Sequence, residues 1–201
     1  MNFLLKSISY IFHPLLMPIA GAVIYFVTAP RFIPENIVQA KIFGLVVVTI
    51  LIPIVLYFFL KTMGIVSSIH LEDAKQRKIP LLLQSLILLL VIKMIIDVYN
   101  YPELYFFFLG VLLSSLSAIF IVFFDIKASL HMLGSGAVTM FTIALSIHFE
   151  INLILLIAAM IFANGLVATS RLHEKAHTNL ELTLGFLIGV IPQLTLLNFW
   201  L

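Results

Sequence analysis

Cysteine is absent from this 201-residue chain. The absence excludes disulfide bonds and every chemistry that depends on a thiolate. It also removes the usual indicator of redox compartment, because no cysteine pattern is left to interpret.

Charged residues are scarce as well. Asp, Glu, Lys and Arg make up 10% of the chain, whereas a soluble domain contains about a quarter. Hydrophobic residues make up 63%, and the mean hydropathy is +1.21. A chain of this composition cannot bury its apolar surface in water. The composition therefore predicts an all-α integral membrane protein and excludes the soluble classes.

Long apolar stretches divide the chain, and a helix that crosses the hydrocarbon core needs roughly 20 such residues. They predict a polytopic transmembrane helical bundle of six to seven spans, forming a single membrane domain over residues 1–201. The first stretch is longer than the apolar part of a signal peptide and further spans follow at once, so we expect a retained helix. The predicted spans lie near Ile8–Thr28, Ile42–Leu60, Leu81–Val98, Leu104–Phe124, His131–Ile147, Ile151–Thr169 and Leu182–Trp200.

Polar residues concentrate in three segments, Lys61–Pro80, Asp125–His131 and Ser170–Glu181. These segments follow the second, fourth and sixth predicted spans. Alternate links of a helical bundle emerge on the same side of the membrane, so the three segments are predicted to meet at one surface. Because charge near a bilayer is costly, such a concentration indicates a site.

The predicted polar surface is basic, and an anion such as phosphate is the natural ligand of clustered Lys and Arg. The alternative is that membrane insertion alone places basic residues on cytoplasmic loops. If the five possible phosphate ligands (Lys75, Arg77, Lys78, Lys127 and Arg171) are left out, three basic residues remain on each surface. The side of the membrane on which the polar surface lies therefore stays open. The polar surface carries Lys6, Lys61, Lys75, Arg77, Lys78, Lys127, Arg171 and Lys175, against Arg31, Lys41 and Lys93 opposite.

The third segment has a recognisable spacing, with Ser170 and Arg171 followed by His177 and then Glu181. It resembles the third motif of the type 2 phosphatidic acid phosphatase (PAP2) superfamily, S-R-x5-H-x3-D, with Glu replacing Asp. The resemblance implies a core like that of PAP2 and haloperoxidase proteins, built of helices.

Two upstream segments resemble the other motifs of that family less closely. Ser129 and His131 match the Ser and His of P-S-G-H. Arg77 and Pro80 match K-x6-R-P loosely, with two residues between them and His70 where the family has Lys. The resemblance covers three short segments in the family's order and none of the chain between them.

The resemblance implies the chemistry of the histidines. His177 would be the nucleophile that becomes phosphorylated, and His131 the general acid for the leaving group. Glu181 would orient His177. Alternatively, Thr178 to Glu181 forms a capping box that leaves His177 without a carboxylate.

Arg77 and Arg171 are the predicted phosphate ligands, and no metal or other cofactor is implied. Ser129 also has the position of a helix cap at the start of span five, and Gly134 and Gly136 favour tight helix packing. His13 and His148 have no obvious partner and are interpreted as structural, whereas His173 lies nearer the site but at a variable position of the resembled motif. The remaining candidates for binding phosphate are Lys75, Lys78, Lys127, Ser129 and Ser170.

These residues together predict a metal-independent lipid phosphate phosphatase, a hydrolase of phosphoric monoesters or lipid diphosphates. Candidate substrates are phosphatidic acid, phosphatidylglycerophosphate, undecaprenyl pyrophosphate and a lipid A phosphate. We expect the substrate and the bilayer as partners, no nucleic acid, and a bacterial inner membrane because the loops are short. The oligomeric state is not indicated. The alternatives are a metal enzyme using His70, His131, His173 and His177, or a lipid-binding or transport protein without catalysis.

Overall fold

The structure is a computed structural model, and it describes the backbone of residues 2–67 and 74–201 and the side chains of residues 5–67 and 76–201. These residues form helices and turns, with no strand among them. The α-helices are α1 (Asn2–Ile11), α2 (Met17–Thr28), α3 (Glu35–Val46), α4 (Ile52–Thr62), α5 (Lys78–Leu90), α6 (Pro102–Val122), α7 (Leu130–His148), α8 (Ile154–His173) and α9 (Asn179–Leu196).

Short π-helical turns extend two of these helices. Val47–Leu51 joins α3 to α4, so that Glu35–Thr62 is one helix of 28 residues. Pro53 lies two residues after this π-helical turn and has no N–H to donate within the helix. The extra residue of the π-helical turn accommodates this missing hydrogen bond. Val91–Ile95 is a second π-helical turn, which extends α5 to Ile95.

Among the described residues, six helices are long and apolar enough to cross a membrane, and they coincide with the second to seventh predicted spans. The first predicted span is wrong as a continuous helix. It consists of α1 and α2, separated by a bend at residues 12–16. Pro14 lacks a backbone N–H and restricts His13 before it to extended conformations, which ends α1.

Glycines allow α7 and α9 to approach each other closely. A Cβ atom on Gly189 would lie 2.1 Å from the carbonyl oxygen of Leu133, and one on Gly185 would lie 2.4 Å from that of Ser129. Gly136 faces Phe186 in the same interface. The expected role of Gly136 in helix packing is confirmed, and the three glycines together place the start of α9 beside the start of α7.

A buried carboxylate holds together the end of the bundle opposite the polar segments. Glu103, at the start of α6, is 1% exposed. It pairs with Arg31, lies 3.3 Å from His148 Nε2, and accepts a hydrogen bond of 3.0 Å from Tyr25 Oη. His148 therefore has a carboxylate partner that the sequence analysis did not identify, and the carboxylate ties α2, α6 and α7 together.

The three polar segments meet at the other end, as predicted. Arg77 Nη1 donates to the carbonyl oxygen of Ala128 at 2.9 Å, which joins the first segment to the second. Ser129 N donates to the carbonyl oxygen of Glu181 at 3.0 Å, which joins the second to the third. The alternation of helix direction therefore positions the candidate site.

We expect Gly189→Ala to lower the free energy of unfolding by about 1–3 kcal/mol, because the new methyl group must displace the backbone of α7. Gly165→Ala in α8 is the matched control, since a Cβ there meets no atom within 4 Å. Thermal unfolding of both variants in detergent checks this. Equal stability of the two variants would contradict the packing of α7 on α9.

Candidate functional site

His177 lies in the tight link between α8 and α9. Lys175 adopts a left-handed backbone conformation with φ of 52°, which ends α8 and turns the chain. Thr178 caps α9, and the Glu181 side chain returns to the Thr178 backbone N–H at 2.9 Å. The same oxygen, Oε2, lies 3.1 Å from His177 Nδ1. The capping box and the orientation of His177, weighed above as alternatives, therefore occur together.

The contact with Glu181 defines the tautomer of His177. A carboxylate oxygen accepts a hydrogen bond, so Nδ1 carries the proton and Nε2 keeps its lone pair. Burial, together with the positive charges of Arg77 and Arg171, lowers the pKa of His177 from 6.5 to about 4, against the opposing effect of Glu181. His177 is therefore a neutral imidazole near pH 7, which is the form that can act as a nucleophile.

Two buried arginines lie beside His177. Arg77 is 5% exposed and Arg171 is 7% exposed. Arg171 Nη1 lies 2.5 Å from Glu174 Oε2 and 3.3 Å from Ser9 Oγ, while its Nε has no hydrogen-bond partner among the described residues. A buried donor without an acceptor is costly, so this nitrogen is a position where an anion would be stabilised.

His131 lies in the first turn of α7. Ser129 caps this helix by accepting from Met132 N, as the sequence predicted. His131 Nε2 lies 3.2 Å from the carbonyl oxygen of Ser9. Because a carbonyl oxygen only accepts, Nε2 carries a proton and Nδ1 is the nitrogen left for another partner.

Residues before α2 complete the site, and the sequence analysis missed them. Ser9 contacts Arg171 and His131, and the His13 ring lies edge-on to the His131 ring with centroids 5.6 Å apart. His13 was interpreted as structural, but it lines the same cavity as the predicted residues. Pro14, directly after His13 in an apolar stretch, was the available signal that the helix breaks and exposes polar groups here.

A cavity of about 580 Å³ opens between these polar side chains. Arg77, Arg171, His131 and His177 all line it. Its remaining walls are mostly apolar side chains of α4 to α7. Along α7 the lining runs from Leu130 to Val138, which corresponds to a depth of about 12 Å at 1.5 Å per residue. The cavity therefore combines a cationic end with an apolar interior.

Other predicted phosphate ligands lie elsewhere. Lys78 Nζ lies 4.7 Å from the centre of the Phe123 ring, and Lys127, like Lys78, is absent from the described lining of the cavity. Ser129 and Ser170 are fully buried, and their hydroxyls bond to protein groups. The Lys75 side chain lies outside the described residues.

The alternative of a metal site depends on four histidines. Within the described part of the chain, no group of three His, Cys, Asp or Glu side chains is arranged to hold a metal ion. His173 is exposed at the end of α8. His70 lies outside the described residues, so the predicted set of four is not fully placed.

No family model, curated protein or solved structure matches this chain.

We expect Arg77→Gln to raise the pKa of His177 by about 1, because a positive charge nearby disfavours the imidazolium. The titration is followed by NMR of the imidazole nitrogens, assigned with His177→Ala. Lys127→Gln, which removes a charge outside the cavity lining, is the control and should leave this pKa unchanged. A wild-type pKa near 6.5 would contradict the burial of His177.

Proposed function

We propose that the protein is a membrane lipid phosphate phosphatase that works through a phosphohistidine and needs no metal. The observation that carries the proposal is His177, whose Nδ1 contacts Glu181 and whose Nε2 has no partner among the described residues, in a cavity that it shares with two buried arginines. The PAP2 resemblance of the third segment supports the same assignment and remains a prediction. The proposal places the enzyme in a bacterial inner membrane.

In the first step, His177 Nε2 attacks phosphorus, and a nitrogen–phosphorus bond forms as the bond from phosphorus to the lipid oxygen breaks. The leaving oxygen takes a proton from His131, which enters this step as the imidazolium with a proton on each ring nitrogen. Because His131 Nε2 is engaged by the Ser9 carbonyl, Nδ1 is the atom that would carry this proton. Glu181 stabilises the positive charge that develops on His177.

In the second step, water attacks phosphorus and returns a proton to His131 Nδ1. The nitrogen–phosphorus bond breaks, and inorganic phosphate leaves while His177 regains its lone pair. The sum of the two steps is one phosphate ester and one water converted to an alcohol and phosphate. His131 acts first as an acid and then as a base.

Arg77 and Arg171 would stabilise the charge on the phosphoryl oxygens in the transition state. Their guanidinium groups are already buried, so little water has to be displaced when the charge develops. Lys75 remains a further candidate for this role. Lys78 and Lys127 are less suited to this role because neither side chain belongs to the described lining of the cavity.

The apolar interior of the cavity favours a lipid over a water-soluble phosphate ester. Ile54 and Phe58 of α4 line the cavity and are 40% and 60% exposed, so this wall is open toward the bilayer. An acyl chain could lie against these side chains while the phosphate reaches the arginines. Phosphatidic acid, phosphatidylglycerophosphate, undecaprenyl pyrophosphate and a lipid A phosphate all have this combination of groups.

We expect the purified protein in detergent with EDTA to release phosphate from at least one of these lipids, and His177→Ala to abolish the release. Rapid quenching with labelled substrate should trap an acid-labile phosphoprotein in the wild type. His173→Ala is the matched control, because it removes an exposed histidine four positions away.

Full release by His177→Ala would show that another residue is the nucleophile. Release that requires a divalent metal would favour the metal enzyme. Binding of lipid phosphates without hydrolysis would identify a lipid-binding protein, the function left if the partly matched first and second motifs do not support catalysis.

A further inference from the structure

A chain of hydrogen bonds connects α1 to the third polar segment. Ser170 Oγ donates to the carbonyl oxygen of Leu5 at 2.6 Å. Ser9 Oγ lies 2.7 Å from Ser170 Oγ, and Arg171 Nη1 donates to Ser9 Oγ at 3.3 Å. Both serines are buried. Ser170 and Arg171 belong to the motif that the sequence resembles, whereas Ser9 and Leu5 lie outside all three matched segments.

The direction of each bond in this chain is determined. The carbonyl oxygen of Leu5 only accepts, so the single hydroxyl hydrogen of Ser170 points to it. Ser9 must then donate its own hydrogen to Ser170. This leaves the lone pairs of Ser9 Oγ free to accept from Arg171 Nη1. Each serine hydroxyl donates once and accepts once.

The consequence is a fixed orientation of the Arg171 guanidinium. Nη1 is held from two sides, by Ser9 and by Glu174. Nε, on another edge of the same planar group, has no partner among the described residues, and the side chain lines the cavity. Holding Nη1 therefore leaves the Nε edge available for an oxygen of an anionic ligand.

We propose that Ser9 is a positioning residue for phosphate binding and acts through Arg171. The identification of the ligand as a lipid phosphate rests on the proposed function. Without the Ser9 hydroxyl, Nη1 keeps only Glu174, and the guanidinium can rotate about its flexible side chain. The Nε edge is then no longer preorganised, and affinity for phosphate falls.

The test compares Ser9→Thr with Ser9→Val, since these two side chains differ mainly in the hydroxyl group. Binding of dioctanoyl phosphatidic acid is measured by calorimetry in detergent, in a His177→Ala background that prevents turnover. Dioctanoylglycerol, which lacks the phosphate, is the ligand control. Ser117→Ala is the protein control, because its hydroxyl bonds only to a carbonyl within α6.

We expect Ser9→Val to raise Kd about tenfold, the size expected for losing one hydrogen bond to a charged group. Ser9→Thr should stay within about twofold of the parent. The ¹⁵Nε resonance of Arg171 should move on addition of phosphatidic acid in the parent and in Ser9→Thr, and less in Ser9→Val. If Ser9 only stabilised the fold, Ser9→Thr and Ser9→Val variants of equal thermal stability would show the same ligand-induced shift of the Arg171 resonance.

The outcomes separate the two proposals. If the wild type hydrolyses no lipid but the binding pattern holds, the phosphatase proposal fails and the role of Ser9 stands. If hydrolysis depends on His177 but Ser9→Val binds as tightly as Ser9→Thr, the role of Ser9 is overturned. The role of Ser9 is also overturned if phosphatidic acid does not bind to the parent, or if the Arg171 Nε resonance does not move when the ligand is added.

Discussion

Two guanidinium groups are buried at one end of a membrane bundle, and the arrangement of the polar segments depends on compensating their charge. Removing a charge from water is costly unless acceptors replace the lost hydration. Arg77 finds an acceptor in the second segment, at Ala128, and Arg171 finds acceptors at Ser9 and Glu174. The same bonds that lower the cost of burial therefore draw the first, second and third segments and the N-terminal helix together.

The buried charged groups at the two ends of the bundle differ in how completely the protein supplies their hydrogen-bond partners. At the far end, Glu103 is satisfied by Arg31, His148 and Tyr25, all side chains of the protein. At the polar end, Arg171 keeps one nitrogen without a partner among the described residues, and a cavity adjoins it. A satisfied cluster stabilises the fold, whereas a buried donor without an acceptor next to a cavity favours an anionic ligand. This difference is the physical reason for placing the candidate site at one end only.

Much of this arrangement could be predicted from the sequence. Hydropathy predicted seven spans, and six of them coincide with long apolar helices among the described residues. Alternation of the links brought the polar segments together, and the four-residue spacing of His177 and Glu181 is that of their observed contact. The side chains of Lys78 and Lys127 could not be placed, because a long basic side chain near a membrane surface reaches its environment in several ways. The bend after α1 was missed because hydropathy averages over Pro14, and with it the sequence analysis missed Ser9 and His13.

The glutamate at position 181 shows how the fold and the proposed chemistry depend on each other. A capping box requires Glu or Gln at the third position of the helix, because the side chain must reach back to the capping residue. Glu181 Oε2 does so at Thr178 N and also contacts His177 Nδ1. An aspartate, as in the resembled motif, is one methylene shorter and is not a residue of the capping box. The departure from that motif is therefore consistent with orientation of His177, because the bond that starts α9 also fixes the carboxylate that holds the imidazole.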